Sequence, residues 1–375
     1  MKMNRKLFKY LDYSILFSVI AIAILGTISI GFATNAISFQ PPYINLSASR
    51  TFITQIIWFI IASAAGFYIL IIDYNVIGGY YKILYVGINI LLLLVLLVGS
   101  ERNGAKAWLG VGSLGIQPSE FAKIITIITL AKIMEDMENI NTPKNLGKIA
   151  LYALIPIGLI QLQPDTGTNL IFAMTILGML FVAGLDLKFI YGGLIAAISG
   201  VLVLWNFDIL EPYQKNRILV FFKPELDRLG SGYNAMLAKM AVGSGKFFSL
   251  FSSSDALSGG KFIPEAHTDF IFTVFAERWG FLGSVILLAL YFNIIFKGIK
   301  IARTSKDKFG TYVVFGVLSM FTFQILQNIG MDIGLMPITG IPLPFMSYGG
   351  SSLLTSVVSI SLILNVGMRR QKINF

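Results

Sequence analysis

YSILFSVIAIAILGTISIGFA, residues 13–33, decides the class of fold. None of these residues is charged, and as a helix the run would be about 30 Å long, the thickness of the hydrocarbon core of a bilayer. Lys2, Arg5, Lys6 and Lys9 precede it. A secretory leader also begins with cations before an apolar run, but this run is too long for a leader's apolar core. It reads as an uncleaved first span. Outward from it, apolar stretches recur at 52–72, 80–98, 118–134, 149–163, 169–185, 188–206, 269–296, 310–331 and 347–367. The fifth is short, and only Leu185, Asp186 and Leu187 separate the sixth from the seventh. The expected fold is all-α: a polytopic membrane protein of about ten transmembrane helices, one domain over 1–375.

Composition agrees. Of 375 residues, 55% are hydrophobic and 13% charged, where a soluble domain carries about 25% charged residues. There is no cysteine, which excludes disulfides, thiolate metal sites and cysteine nucleophiles. The single histidine, His267, excludes a multi-histidine metal site. A net charge of +10 would suggest nucleic acid in a soluble protein; here it points to cytoplasmic loops rich in Lys and Arg. Three cation clusters carry it: the N-terminus, Lys297 to Lys308, and Arg369 to Lys372. An even number of spans puts all three on one side, so both termini are expected to be cytoplasmic. Three segments then face outside: 99–117, the long segment 207–268 between the seventh and eighth spans, and the Pro/Gly-rich 336–350. No internal repeat is evident, which argues against an inverted-repeat transporter.

Several motifs have both a structural and a chemical reading. Gly243-Ser244-Gly245-Lys246 has the look of a phosphate loop, but the pattern needs glycine where Met240 stands. Glu120 and Lys123, three apart on one face of an apolar helix, are each costly alone. They form a structural ion pair, a polar cavity for a charged head group, or both; the cavity is the favoured reading. Trp108 alone is an interfacial anchor and Lys106 a solvated cation. Asp165 in QPDTGT (163–168) is a helix cap or a functional group, evenly balanced. Asp269 could cap the eighth span, or take a proton from a bound hydroxyl; on the residues alone the cap is the stronger reading. His267 is a second candidate base, further into the loop. Glu277 and Arg278 are adjacent, so they do not face each other and are expected to pair with other helices. The run 337–352 holds too many prolines and glycines for a regular helix. At membrane depth it would have to line a cavity; otherwise it is an interfacial loop.

Taken in order, NGAKAW (103–108), QPSEFAK (117–123), QPDTGT (163–168), PYQKNRI (212–218), PEAHTDFIF (264–272) and ITGIPLPFMSYGGSS (338–352) resemble the SEDS family of shape, elongation, division and sporulation proteins, whose branches are RodA, FtsW and SpoVE. The likeness runs from the first span to the last. PYQKNRI and QNIGM (327–331) look more like the elongation branch. The resemblance implies a glycosyltransferase that polymerises lipid II into peptidoglycan at the outer face of the bacterial plasma membrane. It implies that Asp269 is the general base, and that Glu120 and Lys123 line the cavity. It implies further substrate contacts at Trp108, Lys106, Asp165, Arg217, Glu265 and Ser347. The implied partners are lipid II and a class B penicillin-binding protein, with no nucleic acid. No cofactor follows, and a divalent cation, Mg or Mn, is left open. The rival functions are a flippase for the lipid-linked precursor and a non-catalytic scaffold. One departure stands out: 245–265 carries Phe and Ser where many members carry glycine.

Overall fold

The computed structural model describes residues 8–40, 43–46, 49–102, 105–110, 115–207, 212–227, 230–249 and 263–370. Among these, a long helix stands at each of the ten expected stretches: α1 (Tyr13–Ala33), α2 (Arg50–Ile71), α3 (Tyr81–Val98), α4 (Pro118–Glu135), α5 (Pro143–Gln161), α6 (Thr166–Val182), α7 (Leu187–Asn206), α8 (Ile271–Arg303), α9 (Lys308–Asp332) and α10 (Gly350–Arg369). Strands are confined to two small hairpins, β1–β2 (Ile37–Gln40, Tyr43–Leu46) and β3–β4 (Ser100–Arg102, Ala105–Trp108). The segment after α7 contributes two surface helices, Pro212–Phe222 and Ser231–Ser244. Most of the departing stretch 245–265, residues 250–262, lies outside the described residues.

The chain is a polytopic all-α membrane protein. By length and composition alone, α1, α2, α3, α8, α9 and α10 can cross a bilayer. The periphery is apolar: Ile60, Leu97, Phe181, Ile195 and Phe292 are all exposed. In water this would be an aggregating surface; against lipid tails it needs no cover. The centre is different. α9 packs on α4, α6, α8 and α10, and α4 also touches α3, α5 and α10. Helices enclosed this way do not meet lipid, so they can carry polar side chains. That is why α4, with Glu120, Lys123, Thr126 and Thr129, is buried along most of its length.

The two ends of the bundle differ as well. At one end Tyr74 Oη donates to Asp307 at 2.6 Å, and Arg369 Nε lies 3.1 Å from Asp73. This end gathers the connection after α2, the turn before α9 and the end of α10, next to two of the cation clusters. The other end holds the start of α8 and the non-helical run before α10, joined by hydrogen bonds.

The eighth span departs from expectation. The helix starts at Ile271 rather than Asp269, runs on to Arg303, and is broken at Gly280 (φ 67°, ψ −166°). The loop leaving Ser231–Ser244 docks into the break. Phe281 N–H donates to Lys246 O at 2.9 Å, and Leu282 N–H to Phe247 O at 3.1 Å. These bonds satisfy backbone groups freed by the break, and they give the phosphate-loop lookalike a structural task. Glu277 faces Ser244 at 3.5 Å, and Arg278 sits 5.1 Å from the ring of Phe32, so both do reach other helices.

Candidate active site

Asp269 sits in a tight turn, 264–270, that leads into α8. The amide N–H groups of Thr268 and Asp269 both donate to Glu265 O at 3.1 Å, and Thr268 Oγ1 lies 2.9 Å from Glu265 Oε2. The run before α10 clamps the turn from one side. Ser347 Oγ donates to Thr268 O at 2.6 Å and accepts Leu343 N–H at 2.8 Å; Tyr348 N–H donates to His267 O at 2.9 Å. From the other side Asn328, on α9, donates through Nδ2 to Asp269 O at 2.7 Å and to Ile341 O at 2.8 Å. Two non-helical segments are thus sewn to one another and to a central helix, which pairs backbone groups that no helix satisfies.

The carboxylate itself is in none of these bonds. No hydrogen bond to its oxygens occurs among the described residues. The cap expected of it is also missing. The residue before α8 is Phe270, whose side chain caps nothing. The first turn is served instead by Asp332, at the end of α9, whose Oδ2 accepts Thr273 N–H at 3.0 Å. Asp269 is therefore an unpaired acid in a desolvated turn. Burial raises its pKa to about 6, Glu265 adds to the rise, and Arg217 on Pro212–Phe222 opposes it. Burial lowers the pKa of His267, against the pull of Glu265. Gly340 (φ 70°) is the close wall: a Cβ there would stand 3.2 Å from Asp269 Oδ2.

The other sequence candidates fall into three places. Arg217 and Glu265 join Asp269. Asp165 does cap α6, accepting Thr168 N–H at 3.0 Å and Thr168 Oγ1 at 2.7 Å; it also takes Gln117 Nε2 at 3.3 Å. Just inside that cap, a Cβ at Gly167 would meet Thr339 O at 2.7 Å, so QPDTGT lies against the run that carries Gly340. Glu120 and Lys123 form a 2.7 Å ion pair inside the bundle, 4% and 2% exposed. Lys123, Thr126, Phe172 and Thr175 line a gap between α4 and α6. Two candidates have structural tasks. Lys106 Nζ donates to Leu96 O at 3.0 Å and Leu97 O at 3.2 Å, capping the end of α3, and Ser347 spends both its bonds on the clamp. Trp108 stands at the end of β4, paired with Ser100.

The sequence reading missed the polar row on α9. Gln324, Gln327, Asn328 and Asp332 are all at most 3% exposed. Their spacing of 0, 3, 4 and 8 marks one helical face, and that polar stripe in an apolar helix was the available signal. Gln327 Nε2 donates to Pro337 O at 2.8 Å, so the row holds the non-helical run as well as the Asp269 turn. Among the described residues no group of three or more His, Asp and Glu side chains converges as a metal cage would.

Comparison with known proteins agrees with this architecture. The family of FtsW, RodA and SpoVE cell cycle proteins matches residues 13–372, and the chain belongs to it. The peptidoglycan glycosyltransferase RodA of Treponema pallidum (strain Nichols) is 29% identical over 96% of this chain and 98% of its own. Stage V sporulation protein E of Bacillus subtilis (strain 168) is 38% identical over 83% and 85%. A chain in a solved structure, titled as the structural coordination of polymerization and crosslinking by a peptidoglycan synthase complex, superposes with a TM-score of 0.81 at 31% identity, covering 95% of this chain and 97% of that one.

Proposed function

We propose that this chain is a peptidoglycan glycosyltransferase that polymerises lipid II, with Asp269 as general base. The observation that carries the proposal is the unpaired, desolvated Asp269 carboxylate. It lies within electrostatic reach of Arg217, which lines a shallow surface cleft together with Lys239, Phe221, Met331, Met336 and Ile338. Two cations on a mostly apolar wall suit a diphosphate on a lipid tail. Asp269 takes the proton of the acceptor sugar's 4-hydroxyl. The oxygen attacks the donor's anomeric carbon, the bond from that carbon to the diphosphate oxygen breaks, and the configuration inverts. Arg217 and Lys239 neutralise the charge that gathers on the leaving diphosphate. Glu265 keeps the base's affinity for its proton high, while Glu120, Lys123, Asp165 and Trp108 line the polar path for the sugar chains. Lys106 and Ser347 serve the site through the segments they hold.

The chain works as one unit in the bacterial inner membrane, with its termini and cation clusters cytoplasmic and 207–268 outside. Its role is in elongation, beside a class B penicillin-binding protein that cross-links the strands. The three cation clusters support that orientation, and the relative solved in a complex for polymerization and crosslinking supports the partner. Purified protein given labelled lipid II should produce glycan polymer. Transfer of labelled lipid across a vesicle membrane with no polymer would instead establish the flippase.

A further inference from the structure

Asp332 is an odd choice where it stands. It is the last residue of α9, and a negative charge is unfavourable at the C-terminal end of its own helix. It is also fully buried. Oδ1 has no hydrogen-bond partner among the described residues, so the bond from Thr273 N–H to Oδ2 is the one that offsets the burial. That N–H belongs to the third residue of α8, the donor that a capping side chain usually accepts. Phe270 cannot accept it. The nearest carboxylate in sequence that could is Asp269, one residue further back.

We propose that Asp332 caps α8 in trans, and so keeps the Asp269 carboxylate out of the helix terminus and available to substrate. It is a positioning residue, and the inference rests on the role of Asp269 proposed above. α9 then grips the turn on both sides of the base: Asn328 holds Asp269 O at 2.7 Å, and one turn later Asp332 holds Thr273 N–H at 3.0 Å. Without the second grip, the exposed N–H groups of the first turn attract Asp269. A carboxylate accepting them is displaced from the substrate and is a weaker base.

The test compares Asp332→Ala with Asp332→Asn and the wild type in lipid II polymerisation, per folded molecule by size exclusion. Asn keeps an oxygen for Thr273 N–H; Ala does not. Asp332→Ala should lower kcat on the order of 10²-fold, the scale of a reacting group displaced by about 1 Å, with KM unchanged. Asp332→Asn should restore kcat to within a few-fold of the wild type. Full kcat in Asp332→Ala, or a loss matched only by its folded fraction, overturns the proposal. So does a loss of kcat on the order of 10²-fold in folded Asp332→Asn, an outcome that can be read even if the Ala variant does not fold. The wild type keeps the two ideas apart. No polymer from it refutes the glycosyltransferase reading, whereas polymer from it and from Asp332→Ala alike refutes the positioning role alone.

Discussion

Glu120 and Asp269 are both carboxylates set in apolar surroundings, and the fold treats them in opposite ways. Glu120 is on a central helix, 2.7 Å from Lys123, with almost no exposed surface. Its charge is matched inside the protein. Asp269 is half-buried in a turn whose backbone is held by Ser347 and Asn328, while its own oxygens have no donor. Its charge has no hydrogen-bonded match, Arg217 offsets it only in part, and its proton affinity rises. A matched carboxylate is a poor base. An unmatched one held on a rigid turn is a good base, provided something other than its own carboxylate keeps the turn in place.

The largest expected effect breaks the comparison on the Asp269 side. Asp269→Asn should leave insertion and folding intact, because the carboxylate makes no bond that the fold uses. Polymerisation should fall by at least about 10²–10⁴-fold, the span of general base catalysis. Near-normal polymer from this variant would remove the base assignment. On the other side, Glu120→Ala strands a buried Lys123 and should cost about 3–5 kcal/mol of stability, whereas Glu120→Ala with Lys123→Ala should recover part of that loss. Thermal unfolding in detergent decides it. A double variant no better than the single would mean that the two side chains do not stabilise the fold as a pair.

A smaller effect sharpens the contrast. Gly340→Ala puts a methyl 3.2 Å from Asp269 Oδ2 at a left-handed backbone position. The strain should cost about 1–3 kcal/mol, and displacement of the carboxylate should lower kcat on the order of 10-fold with little change in KM. A Gly340→Ala variant with normal kcat would mean that the carboxylate is not held against that wall.

What the sequence made legible follows the same division. The helices were readable because the stretches are long and apolar, and among the described residues six of them are long and apolar enough to cross a bilayer. The Glu120–Lys123 pair was readable because both partners lie on one helix, three residues apart. The cap on α8 was not. Spacing pointed to Asp269, but the acceptor is Asp332, 59 residues away from Thr273 in sequence. Ser347 was a substrate contact by resemblance alone; its bonds to Thr268 and Leu343 were not readable, because they depend on two segments meeting in space. The break at Gly280 was hidden because the loop that fills it comes from another part of the chain; Glu277 and Arg278, just before it, were the local signal.

The most direct measurement of the central claim is the pH dependence of kcat/KM for lipid II polymerisation by the wild type. The base acts only when unprotonated, so the rate must fall as pH drops through the pKa of Asp269 in the free protein. Burial and Glu265 set that pKa near 6, against an ordinary aspartate near 4. The acid limb should have its half-height at about pH 6 and be lost in the residual activity of Asp269→Asn. A limb at about pH 4, or one that survives in Asp269→Asn, would contradict the claim.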